Sequence, residues 1–94
     1  MAVEWLKIAL ENMRTIADYI AQDNPERAVT FVQEIRQKTN VLADFPSVGR
    51  VGRVFGTREL VAHKNYIVAY RVKGKNVEII RVHHVRQKHP RKIE

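Results

Sequence analysis

Apolar positions along this chain follow two periods. Val3 and Trp5 flank Glu4 as a short strand would, and Ala9, Met13, Ile16, Ala17 and Ile20 then recur at helical spacing. Such spacing aligns side chains on one stripe of a helix. The tetrad Asp23, Asn24, Pro25, Glu26 breaks the pattern. Asn24 suits a helix N-cap, Pro25 the first helical position, where its missing N–H is no loss, and Glu26 the positive end of the helix dipole. A second stripe follows in Ala28, Phe31, Val32, Ile35 and Leu42, interrupted by Lys38 and Thr39. It predicts a helix that stops before Pro46. The first half therefore reads as a short strand and two antiparallel helices, over residues 8–22 and 25–44.

After Pro46 the period shifts toward 2. Residues 50–55 and 58–62 read as strands separated by a turn or bulge at Gly56 and Thr57, and residues 66–72 and 77–82 form a hairpin around Gly74. The order predicts an α+β domain in which a short N-terminal strand and a two-helix hairpin pack on a small antiparallel sheet, leaving the second sheet face partly open. Strict alternation puts Val77, Ile79, Arg81 and His83 on one side of the last strand and Glu78, Ile80, Val82 and His84 on the other. On the neighbouring strand, Tyr66, Val68, Tyr70 and Val72 make the better core set. Arg71, Arg81 and His83 would then share the open face, unless a bulge near the strand end brings His84 there instead.

Composition narrows the class. Ninety-four residues, 45% hydrophobic and 29% charged, suit a single globular domain over 1–94, with a basic tail from about residue 85. The absence of cysteine excludes disulfides, thiolate nucleophiles and cysteine metal sites. No apolar run is long enough to span a bilayer and no leader pattern opens the chain, so a cytoplasmic protein with no membrane partner is expected.

The net charge of +7 is unevenly placed. Residues 1–45 hold 5 basic and 7 acidic side chains, whereas residues 46–94 hold 12 basic and 3 acidic ones and all four histidines. A polyanion or an acidic protein is the natural partner of the second half.

Candidate chemistry concentrates there too. The stretch from Arg81 to Lys92 can contact phosphates or remain a solvated tail. His83 and His84 are neighbours on a strand and point apart, and few carboxylates accompany them, so no metal and no cofactor is expected. A histidine is better suited to proton transfer, with arginines stabilising charge. Ser47, the only serine, has no triad context, and no glycine-rich phosphate loop occurs. Tyr66, Tyr70 and Phe55 could stack on bases, although aromatics at strand spacing usually belong to the core, as Trp5 should.

Five segments in register carry a resemblance: residues 18–25, residues 42–50 (Leu-Ala-Asp-Phe-Pro-Ser-Val-Gly-Arg), residues 56–61 (Gly-Thr-Arg-Glu-Leu-Val), residues 66–72, and Arg81-Val82-His83-His84. Together they resemble the RelE/ParE superfamily of toxins from bacterial type II toxin–antitoxin systems, whose fold agrees with the one read above. The resemblance implies a growth-arresting toxin of one of two kinds. The long paired helices look like the ParE branch, which implies inhibition of DNA gyrase by binding. The alternative is a RelE-like mRNA endonuclease acting on the translating ribosome. In that case His84 would transfer a proton, and Arg81 and Arg58 would stabilise charge. In either case Arg50, Arg53, Lys64, Tyr66, Arg71, Arg86 and Lys88 are candidates for binding nucleic acid or target. The resemblance also implies a cognate acidic antitoxin packed along helices and sheet, with Met13, Ile20, Phe31, Arg71 and Arg81 as its contacts. A non-toxic nucleic-acid-binding module is the reading from another class.

Overall fold

The computed structural model describes residues 1–86. Strand β1 (Ala2–Trp5) leads into helices α1 (Lys7–Asp23) and α2 (Pro25–Asn40). A 3-10 turn (Val41–Ala43) is followed by strands β2 (Arg50–Val51), β3 (Arg58–His63), β4 (Tyr66–Lys73) and β5 (Asn76–His84).

Asn24 builds the corner between the helices. Its extended backbone lets its own N–H close α1 on the Ile20 carbonyl at 2.9 Å, while its side-chain oxygen accepts the Arg27 N–H at 3.1 Å and starts α2. One residue thus satisfies orphan groups of two helix ends, as the Asn-Pro signal predicts. The second helix is shorter than expected: Leu42 reaches the core from the 3-10 turn. Thr39, which breaks the apolar stripe, is nevertheless fully buried, its hydroxyl donating back to the Arg36 carbonyl at 3.0 Å.

The sheet runs β1-β5-β4-β3-β2. The β2–β3, β3–β4 and β4–β5 pairs are antiparallel, but β1 lies parallel to β5, with Val3 beside Val77 and Trp5 beside Ile79. The expected antiparallel sheet is therefore a mixed one. The chain between β1 and β5 supplies the long crossover that parallel neighbours need. The expected strand over residues 50–55 also shrinks to Arg50–Val51, because the chain then turns through a loop closed by the Gly52 N–H on the Thr57 carbonyl at 2.8 Å.

Strand parity changes in the middle of β5. Tyr70 lies opposite Ile79 and Ala69 opposite Arg81, so Ile80 is an inserted residue and the alternation flips there. Val77, Ile79 and Val82 consequently all face the helices and are buried. The Asn12 side chain on α1 accepts the Val82 N–H at 3.1 Å just beyond the bulge, pinning helix to strand.

The core is formed by Ala9, Met13, Phe31 and Ile35 from the helices with Leu42, Val68, Tyr70, Val77, Ile79 and Val82. Trp5 packs against it, with the Arg36 guanidinium 5.6 Å from its ring centroid. Met13 and Phe31, expected as antitoxin contacts, are 5% and 1% exposed. They hold the helices to the sheet and offer no surface to a partner. Ile20, at the edge of the same stripe, keeps partial exposure.

Candidate functional site: a cationic cavity on the open sheet face

Away from the helices, β2 to β5 and the loop after β2 enclose a cavity of about 760 Å³. Val61, Ile67, Ala69 and Ile80 contribute apolar lining, and Arg50, Arg53, Lys64, Arg71, Arg81 and His83 bring charge and hydrogen-bonding capacity. Register explains the gathering. Arg50 lies opposite Glu59, Glu59 opposite Ala69 and Ala69 opposite Arg81, so side chains from four strands reach one face. The bulge at Ile80 leaves Arg81 beside Ile80 on this face and sends Val82 inward.

Two of the cations are answered within the sheet. Arg71 Nε donates to Glu78 Oε1 at 2.7 Å, and Arg50 approaches Glu59 at 3.2 Å. Each is a directly opposed cross-strand pair. Among the described residues, Arg53, Lys64 and Arg81 have no carboxylate partner, so the cavity keeps its positive character. A concave apolar floor with cations above it fits an acidic amphipathic segment or a phosphate chain.

His84 stands elsewhere. It lines a second hollow of about 450 Å³ on the helix side, with Thr15, Ile16, Tyr19, Tyr66 and Arg86. Its ring meets Tyr66 edge-on at 5.1 Å, and Tyr66 in turn meets Phe31 at 5.0 Å. The Arg86 N–H donates to His84 Nδ1 at 3.0 Å. Tyr66 therefore belongs to an aromatic cluster under α2 and not to the cationic face. Arg58 lies opposite Tyr70 and clamps the preceding loop, donating to the Gly49 carbonyl at 2.7 Å and the Ser47 carbonyl at 3.3 Å.

The residues expected from sequence thus divide. Arg50, Arg53, Lys64, Arg71 and Arg81 are brought together, His83 joins them, and His84, Arg58, Tyr66 and Arg86 are not part of the cavity. Lys88 lies outside the described residues. Among those residues no group of three or more His, Cys, Asp or Glu side chains is placed to hold a metal ion, and no helix is long and apolar enough to cross a membrane.

Glu59 and Glu78 were absent from the expected site. The Arg71–Glu78 pair could have been counted outward from the turn at Gly74. The Arg27–Glu34 pair on α2 is likewise outside the expected set: both terminal guanidinium nitrogens reach the carboxylate, at 2.8 and 3.1 Å, with His63 Nε2 3.5 Å from Arg27 Nη2. The hydrogen bond from Arg27 is the main cause holding the Glu34 carboxyl below its ordinary range, against a smaller opposing effect of desolvation.

Comparison with known proteins places this geometry. The model of the family described as "ParE toxin of type II toxin-antitoxin system, parDE" matches residues 3–89. The putative toxin Y4kP of Sinorhizobium fredii (strain NBRC 101917 / NGR234) is 39% identical over 89 residues, covering 94% of this chain and 92% of that relative. Toxin RelE2 of Caulobacter vibrioides is 33% identical over 82 residues, covering 87% and 92%. Among solved structures, a chain of the chromosomal ParDE TA system from P. aeruginosa matches with a TM-score of 0.82 at 29% identity, covering 90% of this chain and 96% of that one. The ParE-like reading of the paired helices is favoured over the RelE-like one, and the chain belongs to the ParE toxin family of type II toxin–antitoxin systems.

Proposed function

We propose that this toxin arrests growth by binding and inhibiting DNA gyrase through its cationic sheet face, and that an acidic antitoxin neutralises it by covering the same face. The observation that favours inhibition by binding over mRNA cleavage is the separation of His84 from Arg81 and Arg58. Cleavage through proton transfer needs the acid or base within hydrogen-bond reach of the reacting group and cations on the same phosphate. His84 packs beside Tyr66 on the helix side, Arg81 lines the opposite face, and Arg58 is committed to two backbone carbonyls. Inhibition by binding asks only for a complementary surface and requires neither metal nor cofactor. This reading puts the protein in the cytoplasm with gyrase, and gives Arg71 and Arg81 to the antitoxin interface as well as to the target.

Two assays with purified protein test it. Plasmid supercoiling by gyrase should be blocked, and mRNA on translating ribosomes should stay intact. Cleaved mRNA with unimpaired supercoiling would overturn the proposal. A second reading has an observation of its own, since His83 shares the cavity with Arg81 and Lys64. If mRNA is cut, His83→Ala and not His84→Ala should abolish the cut.

A further inference from the structure

The loop joining β2 to β3, residues 52–57, is built firmly and displays its apolar side chains to water. The Thr57 N–H and hydroxyl both donate to the Val54 carbonyl, at 3.1 and 2.6 Å, and the Gly52 N–H donates to the Thr57 carbonyl. Gly56 turns the chain at φ 81°, a conformation that favours glycine. At the tip Phe55 is fully exposed (102%), and Val54 before it and Val51 at the end of β2 are exposed as well. Nothing in the fold gains from leaving that ring in water. Arg53, Val54 and Thr57 line the cationic cavity, but Phe55 does not. A partner seated in the cavity therefore covers the base of the loop without burying the ring.

We propose that Phe55 is the anchor by which this toxin grips its target protein, the ring entering an apolar pocket rimmed by carboxylates that Arg53 meets. The identity of that target as gyrase rests on the function proposed above. A large side chain on a hydrogen-bonded loop loses little freedom on binding, and aromatic and arginine side chains dominate interface energetics. Charge selects the kind of partner. Residues 45–58 contain Arg50, Arg53 and Arg58 and no acidic side chain. Arg50 is paired with Glu59 and Arg58 is held by carbonyls, which leaves Arg53 to meet the partner. Within the loop, this one cation beside three exposed apolar side chains suits an acidic protein pocket better than a phosphate chain, which would follow the cavity where Arg53, Lys64 and Arg81 stand together. A second copy of this chain would bring its own positive face and be repelled.

The test compares wild type, Phe55→Ala and Phe55→Trp. Because the ring touches no core residue, all three should share one melting temperature. Phe55→Ala should need about tenfold more protein to halve supercoiling by purified gyrase and should lose growth arrest on induced expression, with Phe55→Trp within about threefold of wild type. Undiminished inhibition and arrest by Phe55→Ala would overturn the anchor. Weakened binding of Phe55→Ala to a DNA duplex without gyrase would overturn it in favour of a nucleic-acid wedge, and dimers of the wild type lost in Phe55→Ala in favour of self-association. If wild type arrests growth yet leaves gyrase active, the gyrase assignment fails separately. The growth assay then decides alone: persistent arrest by Phe55→Ala removes the anchor, and lost arrest supports it for another target protein.

Discussion

Toward the helices, β4 and β5 present Val68, Tyr70, Val77, Ile79 and Val82, all buried, and the polar groups among them are engaged. The Tyr70 hydroxyl donates to the Pro46 carbonyl at 2.7 Å and accepts the Gly49 N–H at 2.9 Å. Away from the helices the same strands present Ala69, Arg71, Arg81 and His83 around a cavity. The first face is designed around burial, where an unpaired polar group is costly. The second leaves cations available, which contributes little to folding and much to recognition. Stability and toxicity should therefore respond to different substitutions.

The largest effect that would break this division is expected from Phe31→Ala. The ring is 1% exposed between α2 and the sheet and meets Tyr66 edge-on. Its loss should cost roughly 3–5 kcal/mol in denaturant unfolding, much of what a domain this small possesses. Arg81→Ala should stay within about 0.5 kcal/mol of wild type while weakening toxicity. Comparable destabilisation by the two would show that the open face also supports the fold.

Tyr70→Phe gives an intermediate effect. It keeps the ring and removes the hydroxyl, leaving the Gly49 N–H and the Pro46 carbonyl without that partner. A loss of roughly 1–2 kcal/mol is expected in the same unfolding measurement. The loop is close-packed here, since a Cβ on Gly49 would lie 2.6 Å from the Tyr70 oxygen and 2.8 Å from the Glu59 carbonyl oxygen. Unchanged stability in Tyr70→Phe would mean that water replaces the hydroxyl and that the helix side is less closed than its burial indicates.

Local signals explain what was legible in the sequence. Asn24 and Pro25 announce the helix corner, and Gly74, at φ 61°, announces the β4–β5 turn. The parallel pairing of β1 with β5 has no local signal, because a strand's sequence does not name its partner. The bulge is equally silent: Ile80 is apolar and suits either face, so alternation alone leaves open which of His83 and His84 shares a face with Arg81, and the cross-strand register decides it. Met13 and Phe31 expose a different limit. An apolar helical stripe has the same spacing whether it meets a core or a partner, and only the packed fold separates those uses. The cationic cluster was legible as charge, but its division into paired Arg50 and Arg71 and available Arg53, Lys64 and Arg81 required the cross-strand register.

The smallest expected effect is at the Arg27–Glu34 pair on α2, beside His63 of β3, and depends on pH. Arg27 and Glu34 form a two-pronged pair at partly exposed positions, so solvent screens it and its contribution is modest. The Arg27 hydrogen bond lowers the Glu34 pKa in the folded chain, from an ordinary value of 4.5. The unfolded chain therefore takes up the proton first as the medium is acidified. The stabilisation is complete above the ordinary carboxylate range and disappears as pH falls through the lowered folded value. Glu34→Gln should accordingly melt slightly below wild type at neutral pH, and the two melting curves should converge in strong acid. High salt should narrow the neutral gap, because solvent reaches this partly exposed pair, whereas the Phe31→Ala deficit should persist. A Glu34→Gln deficit that is the same at acid and neutral pH would assign the loss to packing of the side chain along α2 and not to its charge.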